Sequence, residues 1–247
     1  MPLLPLALLL ACLAALAWTT RRSLARYAAF KALTETADRQ RTFRHWVLRS
    51  FAFYGGISIV VLAALGRLGG VLAPPAEFGR LVASVSDALP LREVGPILLG
   101  EVVAAMTIGA SITAVMAQRG SRRLAPVQVG NIAPLFPRNG AETAWVALLS
   151  LNAGVTEELF FRLMLPLLVA QVTGDALTGF VAAGAVFGLA HIYQGWIGVV
   201  GTAVIGLIFT GLYLATGSLI AAMTAHVLLD LFGLVVRPTV ARAFRRR

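Results

Sequence analysis

The sequence predicts an all-α fold: a polytopic transmembrane helical bundle of about seven spans plus an interfacial helix. Three observations carry this. The chain is 58% hydrophobic over 247 residues, with mean hydropathy +0.83, whereas soluble domains are about 45–50% apolar. Several runs of roughly 18 or more residues carry almost no charge, the length needed to cross the hydrocarbon layer. The basic residues cluster beside those runs, as positive-inside anchoring requires.

The elements follow in order. Residues 2–18 form the first apolar run. Ala15-Leu16-Ala17 before Trp18 imitates a signal-peptide cleavage site. No Lys or Arg precedes the run, and Arg21, Arg22 and Arg26 follow it. That asymmetry predicts a retained helix with its N-terminus outside. Segment 19–45 mixes basic and apolar residues and reads as an amphipathic helix on the cytoplasmic surface. Spans are expected at about 46–66, 96–117, 143–172, 176–194, 196–215 and 218–236. The loop at 67–95 carries Pro74-Pro75 and has room for a short surface helix. One structural domain is expected: N-terminal spans to 142, a core at 143–236 and a basic cytoplasmic tail at 237–247.

Charge supports that topology. Lys and Arg number seven in 19–45, four in 118–142 and five in 237–247, against Arg67, Arg80 and Arg92 on the other side. The chain therefore reads as integral to the inner membrane of a bacterium, with a cytoplasmic C-terminus; its Ala/Gly/Arg-rich, Lys-poor composition fits a GC-rich bacterial gene. The net charge of +10 is explained by this anchoring, and no nucleic-acid-binding motif accompanies it, so nucleic acid is not expected as a partner. The single cysteine, Cys12, excludes a disulfide within the chain.

A charged side chain at the bilayer centre costs about 2.5–3.5 kcal/mol on insertion scales, so it must face the bundle interior and find partners. Six such residues fall in three late spans: Glu157, Glu158 and Arg162 in NAGVTEELFFRLMLP, His191 in FGLAH, and His226 and Asp230 in HVLLD. Glu158 and Arg162 stand at i and i+4 and can pair on one helix face. Glu157 points about 100° away, and its i+4 neighbour is Phe161. Its carboxylate must look to another helix, which suits a general base. Pro166 cannot donate to the carbonyl of Arg162, so a local kink is expected. His226 and Asp230 are again i and i+4. His45 beside Trp46 and Glu101 near a span end read as solvated or snorkelling side chains.

These three motifs in this order resemble the CAAX prenyl protease type II and bacteriocin-processing (CPBP, Abi) family of intramembrane peptidases, whose pattern is EExxxR, FxxxH and Hxxx(N/D). The resemblance covers about residues 143–236 and implies peptide-bond hydrolysis within the membrane. It implies that Glu157 with His191 activates water, that His226 and residue 230 stabilise the oxyanion, and that Glu158 and Arg162 hold the site. Asp230 departs from the Asn of the eukaryotic CAAX proteases; an ionised Asp would repel an oxyanion, a protonated one would not, and it could instead orient His226. The expected partners are the lipid bilayer and a membrane protein or peptide substrate, trimmed at an anchor or sorting segment.

No cofactor is favoured, since HExxH is absent. Were a metal bound, Glu157, His191, His226 and Asp230 would be the ligands and Zn²⁺ the ion such an N/O set suits. The same polar cluster also admits a non-enzymatic reading, a membrane scaffold or a proton or ion relay transporter. No inverted repeat supports the transporter.

Overall fold

The structure is a computed structural model that describes residues 3–89, 91, 108, 109, 111, 112, 115 and 130–245. The described residues are predominantly helical and contain no strand. The expected span 96–117 and Glu101 lie, but for the five isolated positions named, outside them.

Helix α1 (Leu3–Lys31) is followed by α2 (Thr36–Ser50), which runs through a π-helical turn (Phe51–Gly56) into α3 (Ile57–Ala64). The short surface helix is α4 (Gly79–Ala88). Helix α5 (Gly140–Glu158) passes through a second π turn (Leu159–Met164) into α6 (Leu165–Thr173). Then come α7 (Ala176–Ala190), α8 (Trp196–Thr216) and α9 (Leu219–Asp230), which continues through a third π turn (Leu231–Val236) into α10 (Arg237–Arg245).

Among the described residues, four helical stretches are long and apolar enough to cross a membrane: 3–31, 36–64, 196–216 and 219–243. They make this a multi-pass membrane protein and match the expected seven spans only roughly. The stretch 140–173 is long but carries Glu142, Glu157, Glu158 and Arg162, and 176–190 is apolar but short. The basic segment 19–45 is corrected in extent. It is not one interfacial helix; α1 runs unbroken past Trp18 to Lys31, and α2 starts afresh at Thr36. Nothing between Trp18 and Lys31 breaks a helix: there is no Gly and no Pro.

Local chemistry sets the ends near the site. Asn139, Asp175 and Ser218 each accept a hydrogen bond from the backbone N–H three residues on, capping α5, α7 and α9. Gly174 and Gly217 end α6 and α8 in the left-handed conformation, at φ 79° and 66°. A π turn (Leu159–Met164) immediately precedes the segment in which Pro166 leaves the helical ladder without an N–H.

Residues 158–170 are all buried, so this stretch is the axis of the bundle. Apart from Glu158 and Arg162 it is apolar all round, because it is surrounded by protein. Helix α5 packs against α2 and α9, and α7 against α6 and α8. The outer face of α8, with Ile197, Val200, Val204, Leu207 and Ile208 exposed, is the one left for lipid. Two buried polar ties fix α2 alongside α5. Arg39 meets Glu142, Nε to both carboxylate oxygens at 3.1 Å, and the Asn152 side chain donates to Ser50 Oγ at 2.5 Å. Further along, a Cβ on Gly55 would touch the Thr156 methyl at 3.0 Å. The pairs 39/142, 50/152 and 55/156 rise together, so α2 and α5 run parallel.

Candidate active site

Helix α5 delivers Glu157 and Glu158 at its last two positions, one turn before Arg162 in the π turn. The adjacent carboxylates go to different places. Glu158 is fully buried: one oxygen lies 3.1 Å from Arg162 Nε and the other 2.6 Å from His226 Nδ1. Arg162 in turn donates from Nη2 to the Gly206 carbonyl at 3.2 Å. Its guanidinium carbon sits 4.2 Å from the centre of the Phe187 ring, a cation–π contact. The close approach of α8 depends on Gly206, where a Cβ would stand 2.8 Å from Phe187 and 3.2 Å from Arg162 Nη2.

Glu157 faces away from this cluster, toward α7. Its Oε2 is 3.9 Å from His191 Nε2, and the two side chains keep 13% and 15% exposure against 0% for Glu158. His191 is positioned by its own helix: Nδ1 lies 2.8 Å from the Phe187 carbonyl. A carbonyl only accepts, so Nδ1 carries the proton and a neutral ring turns the lone pair of Nε2 toward Glu157. Phe187 thus serves both sides of the site, its backbone holding His191 and its ring covering Arg162.

His226 stacks on Phe209, with ring centroids 4.9 Å apart and 25° between planes. Glu158, which only accepts when ionised, accepts the hydrogen bond donated by Nδ1–H. Nε2 is left toward the cavity, 3.8 Å from Asp230 Oδ2. Asp230 keeps 28% exposure.

Glu157, His191, His226 and Asp230 all line one cavity of about 500 Å³. Its apolar wall includes Phe53, Leu149, Ile205 and Phe232. Sequence spacing brought out all six polar residues, and the structure gathers them. It also shows groups that spacing did not reveal: Tyr54 and Tyr193 on the cavity wall, Phe209 under His226, and Gly206 under Arg162. Aromatic and small residues in an apolar helix carry no signal of their own. The pairing of Glu158 with His226 was equally hidden, because the partners stand 68 residues apart.

The four side chains form two pairs, Glu157 with His191 and His226 with Asp230, and Glu158 sits on Nδ1 of His226. No group of three or more His, Cys, Asp or Glu among the described residues is placed to share an ion.

In comparison with known families, residues 139–232 match the type II CAAX prenyl endopeptidase Rce1-like family. The matched region starts at the cap of α5, ends just past Asp230, and contains all six polar residues. No curated protein and no solved structure matches the chain.

Proposed function

We propose, taking the Rce1-like endopeptidase domain at residues 139–232 as premise, that this multi-pass membrane protein hydrolyses a peptide bond of a membrane-associated protein or peptide, using water activated by Glu157 and His191. The observation that carries the reading is the Glu157–His191 separation of 3.9 Å. It is too long for a direct hydrogen bond. A carboxylate oxygen and an imidazole lone pair are both acceptors, so they cannot bond to each other. A water donating one proton to each satisfies both and turns its own lone pair outward, toward a carbonyl held in the cavity.

In this reading attack on the scissile carbonyl forms a tetrahedral oxyanion while the water proton passes to the Glu157–His191 pair. His226, held by Glu158 and doubly protonated, offers Nε2–H to that oxyanion, and Asp230 assists in its protonated form. The proton held by the pair then goes to the leaving amine, and the C–N bond breaks. Glu158 and Arg162 hold His226 and the helix in place. No step passes through a metal. The low polarity of the wall keeps bulk water out, and the substrate enters locally unwound, because a helix hides its carbonyls in hydrogen bonds. In this reading the protein sits in the inner membrane of a bacterium with its N-terminus outside; the clustering of basic segments favours that orientation, and the Lys-poor, Ala/Gly/Arg-rich composition favours that source. Trimming of a membrane anchor or sorting segment is the task that fits.

The test compares protein termini in the membrane and secreted fractions of a deletion strain carrying wild type or Glu157→Gln. A precursor that persists only with Glu157→Gln, at equal levels of folded protein, supports the reading. Equal termini in both strains count against it and favour a scaffold or relay.

A further inference from the structure

Several hydroxyl groups on the cavity wall are already committed. Those of Thr19, Ser23, Tyr27 and Ser50 donate to main-chain carbonyls. Tyr54 of the first π turn lines the same cavity, yet among the described residues no hydrogen bond engages its hydroxyl. The side chain is nevertheless held. Its ring meets Phe160 edge-on, with centroids 5.3 Å apart and 82° between planes. It packs on Phe53 and Phe161 at 5.0 and 5.6 Å. Its carbonyl accepts from Ser58 Oγ at 2.6 Å. A phenol fixed in this way with its O–H uncommitted is a preorganised donor.

Its place relative to Glu157 follows from the helix register. Gly55 is level with Thr156, and α2 and α5 run parallel. Tyr54 and Glu157 are therefore offset by about two residues, roughly 3 Å along the axis. Glu157 is within electrostatic reach of Tyr54, whereas Asp230 reaches Tyr193 but not Tyr54. The phenol thus stands beside the base and away from Asp230.

We infer that Tyr54 binds the substrate main chain next to the scissile bond, its O–H donating to the carbonyl of an adjacent peptide group and holding the segment extended past Glu157. The inference rests on the proteolytic reading of the same cavity and adds to it a residue outside the 139–232 region. An unwound segment brings in carbonyls that have lost their helical partners. In an apolar enclosure each unpaired carbonyl is costly, so a fixed donor decides where the chain lies. The oxyanion itself faces His226 and Asp230, which leaves Tyr54 to a neighbouring peptide group.

The test uses full-length protein in detergent and an apolar peptide that wild type cleaves in a Glu157-dependent way, the cut being located by mass spectrometry. Tyr54→Phe keeps the ring packing, so its melting temperature should stay within a degree or two of wild type. KM should rise about tenfold or more while kcat stays within about twofold, the signature of lost ground-state binding. A second series identifies the partner. Each peptide group flanking the cut is replaced in turn by a trans-alkene, which keeps the shape and removes the polar atoms. Binding of the fluorescein-labelled peptides is then measured to Glu157→Gln protein, with and without Tyr54→Phe. One replacement should weaken binding about tenfold when the hydroxyl is present and make no difference when it is gone. These ratios are taken within each protein, so a uniform loss of stability does not imitate them. An unchanged KM in Tyr54→Phe, a fall in kcat alone, or an alkene effect that persists without the hydroxyl overturns the inference. A wild type that cleaves no peptide refutes the proteolytic reading and the inference with it; Glu157-dependent cleavage with no Tyr54 effect refutes the inference alone.

Discussion

Glu158 accepts a hydrogen bond from His226 across 2.6 Å, and so ties the end of α5 to the middle of α9. The same carboxylate faces Arg162 at 3.1 Å, and both acid and guanidinium are removed from solvent. One buried charge thus orients the imidazole and neutralises the arginine. Breaking a buried pair by removing one partner leaves an uncompensated charge, at a cost of about 3–5 kcal/mol. Glu158→Gln should lower the melting temperature in detergent markedly, and Glu158→Gln with Arg162→Met should recover part of the loss. A double variant no more stable than the single would show that the ion pair is not what Glu158 contributes.

Glu157 and His191 should behave in the opposite way. Both keep contact with the cavity, and His191 has one close hydrogen bond, to the Phe187 carbonyl. His191→Gln should leave the melting temperature within a degree or two of wild type. Its kcat/KM on a cleavable peptide should fall about 10²–10⁴-fold, the usual contribution of a general base. Full activity in folded His191→Gln protein would remove the residue from the mechanism.

The polar half of this site was legible in the sequence because the membrane makes polar residues expensive. Glu157, His191, His226 and Asp230 stand out in apolar helices, and i, i+4 spacing marks Glu158 with Arg162. The fold class was legible for the same reason. The limits of α1 were not, because basic residues are good helix formers and α1 carries Arg21, Arg22 and Arg26 without breaking. Arg39 looked like one more surface charge, yet it is fully buried against Glu142, with its Nη2 donating to the carbonyls of Pro134 and Phe136. Only the parallel packing of α2 and α5 brings them together, and no periodicity in either helix announces it.

Chelation gives a third test. The two acid–base pairs are separate rather than gathered around one ion. Cleavage measured after dialysis against a strong chelator should keep its rate. Loss of activity that Zn²⁺ restores would require the four side chains to close into one ligand sphere and would replace the mechanism proposed here.

Acid should loosen the outer loop. Glu77 accepts from Arg67 and from Gln171 of α6, both at 2.9 Å. Partial burial pushes its carboxyl up, but hydrogen bonds from Gln171 and Arg67 and the Arg67 charge outweigh that and hold it below the usual carboxylate range. A carboxyl depressed on folding adds stability that is present above its unfolded pKa and is lost as pH falls through the folded value. Melting temperature should therefore drop below about pH 4 more steeply in wild type than in Glu77→Gln. Parallel curves would mean that Glu77 is not coupled to folding.

The site also depends on how closely α5 and α9 approach, and Gly154 sets that distance. A Cβ there would stand 2.4 Å from Val227 Cγ2 and 2.7 Å from the Val227 backbone nitrogen. The methyl can rotate away, but the backbone cannot, so α9 must shift. It carries His226 one position before Val227, and α5 carries Glu157 one turn after Gly154. Overpacking of this kind costs about 1–3 kcal/mol, and a shift of about 1 Å at a catalytic group can cost on the order of 10² in rate. Gly154→Ala should lose both stability and activity although it touches no polar group of the site. Gly184 is the control: it is also helical, but a Cβ there meets nothing within 4 Å. Gly184→Ala should be neutral or slightly stabilising, because alanine is the better helix former. Equal behaviour of the two variants, read from melting curves and cleavage rates, would rule out close packing at Gly154 as the determinant of site geometry.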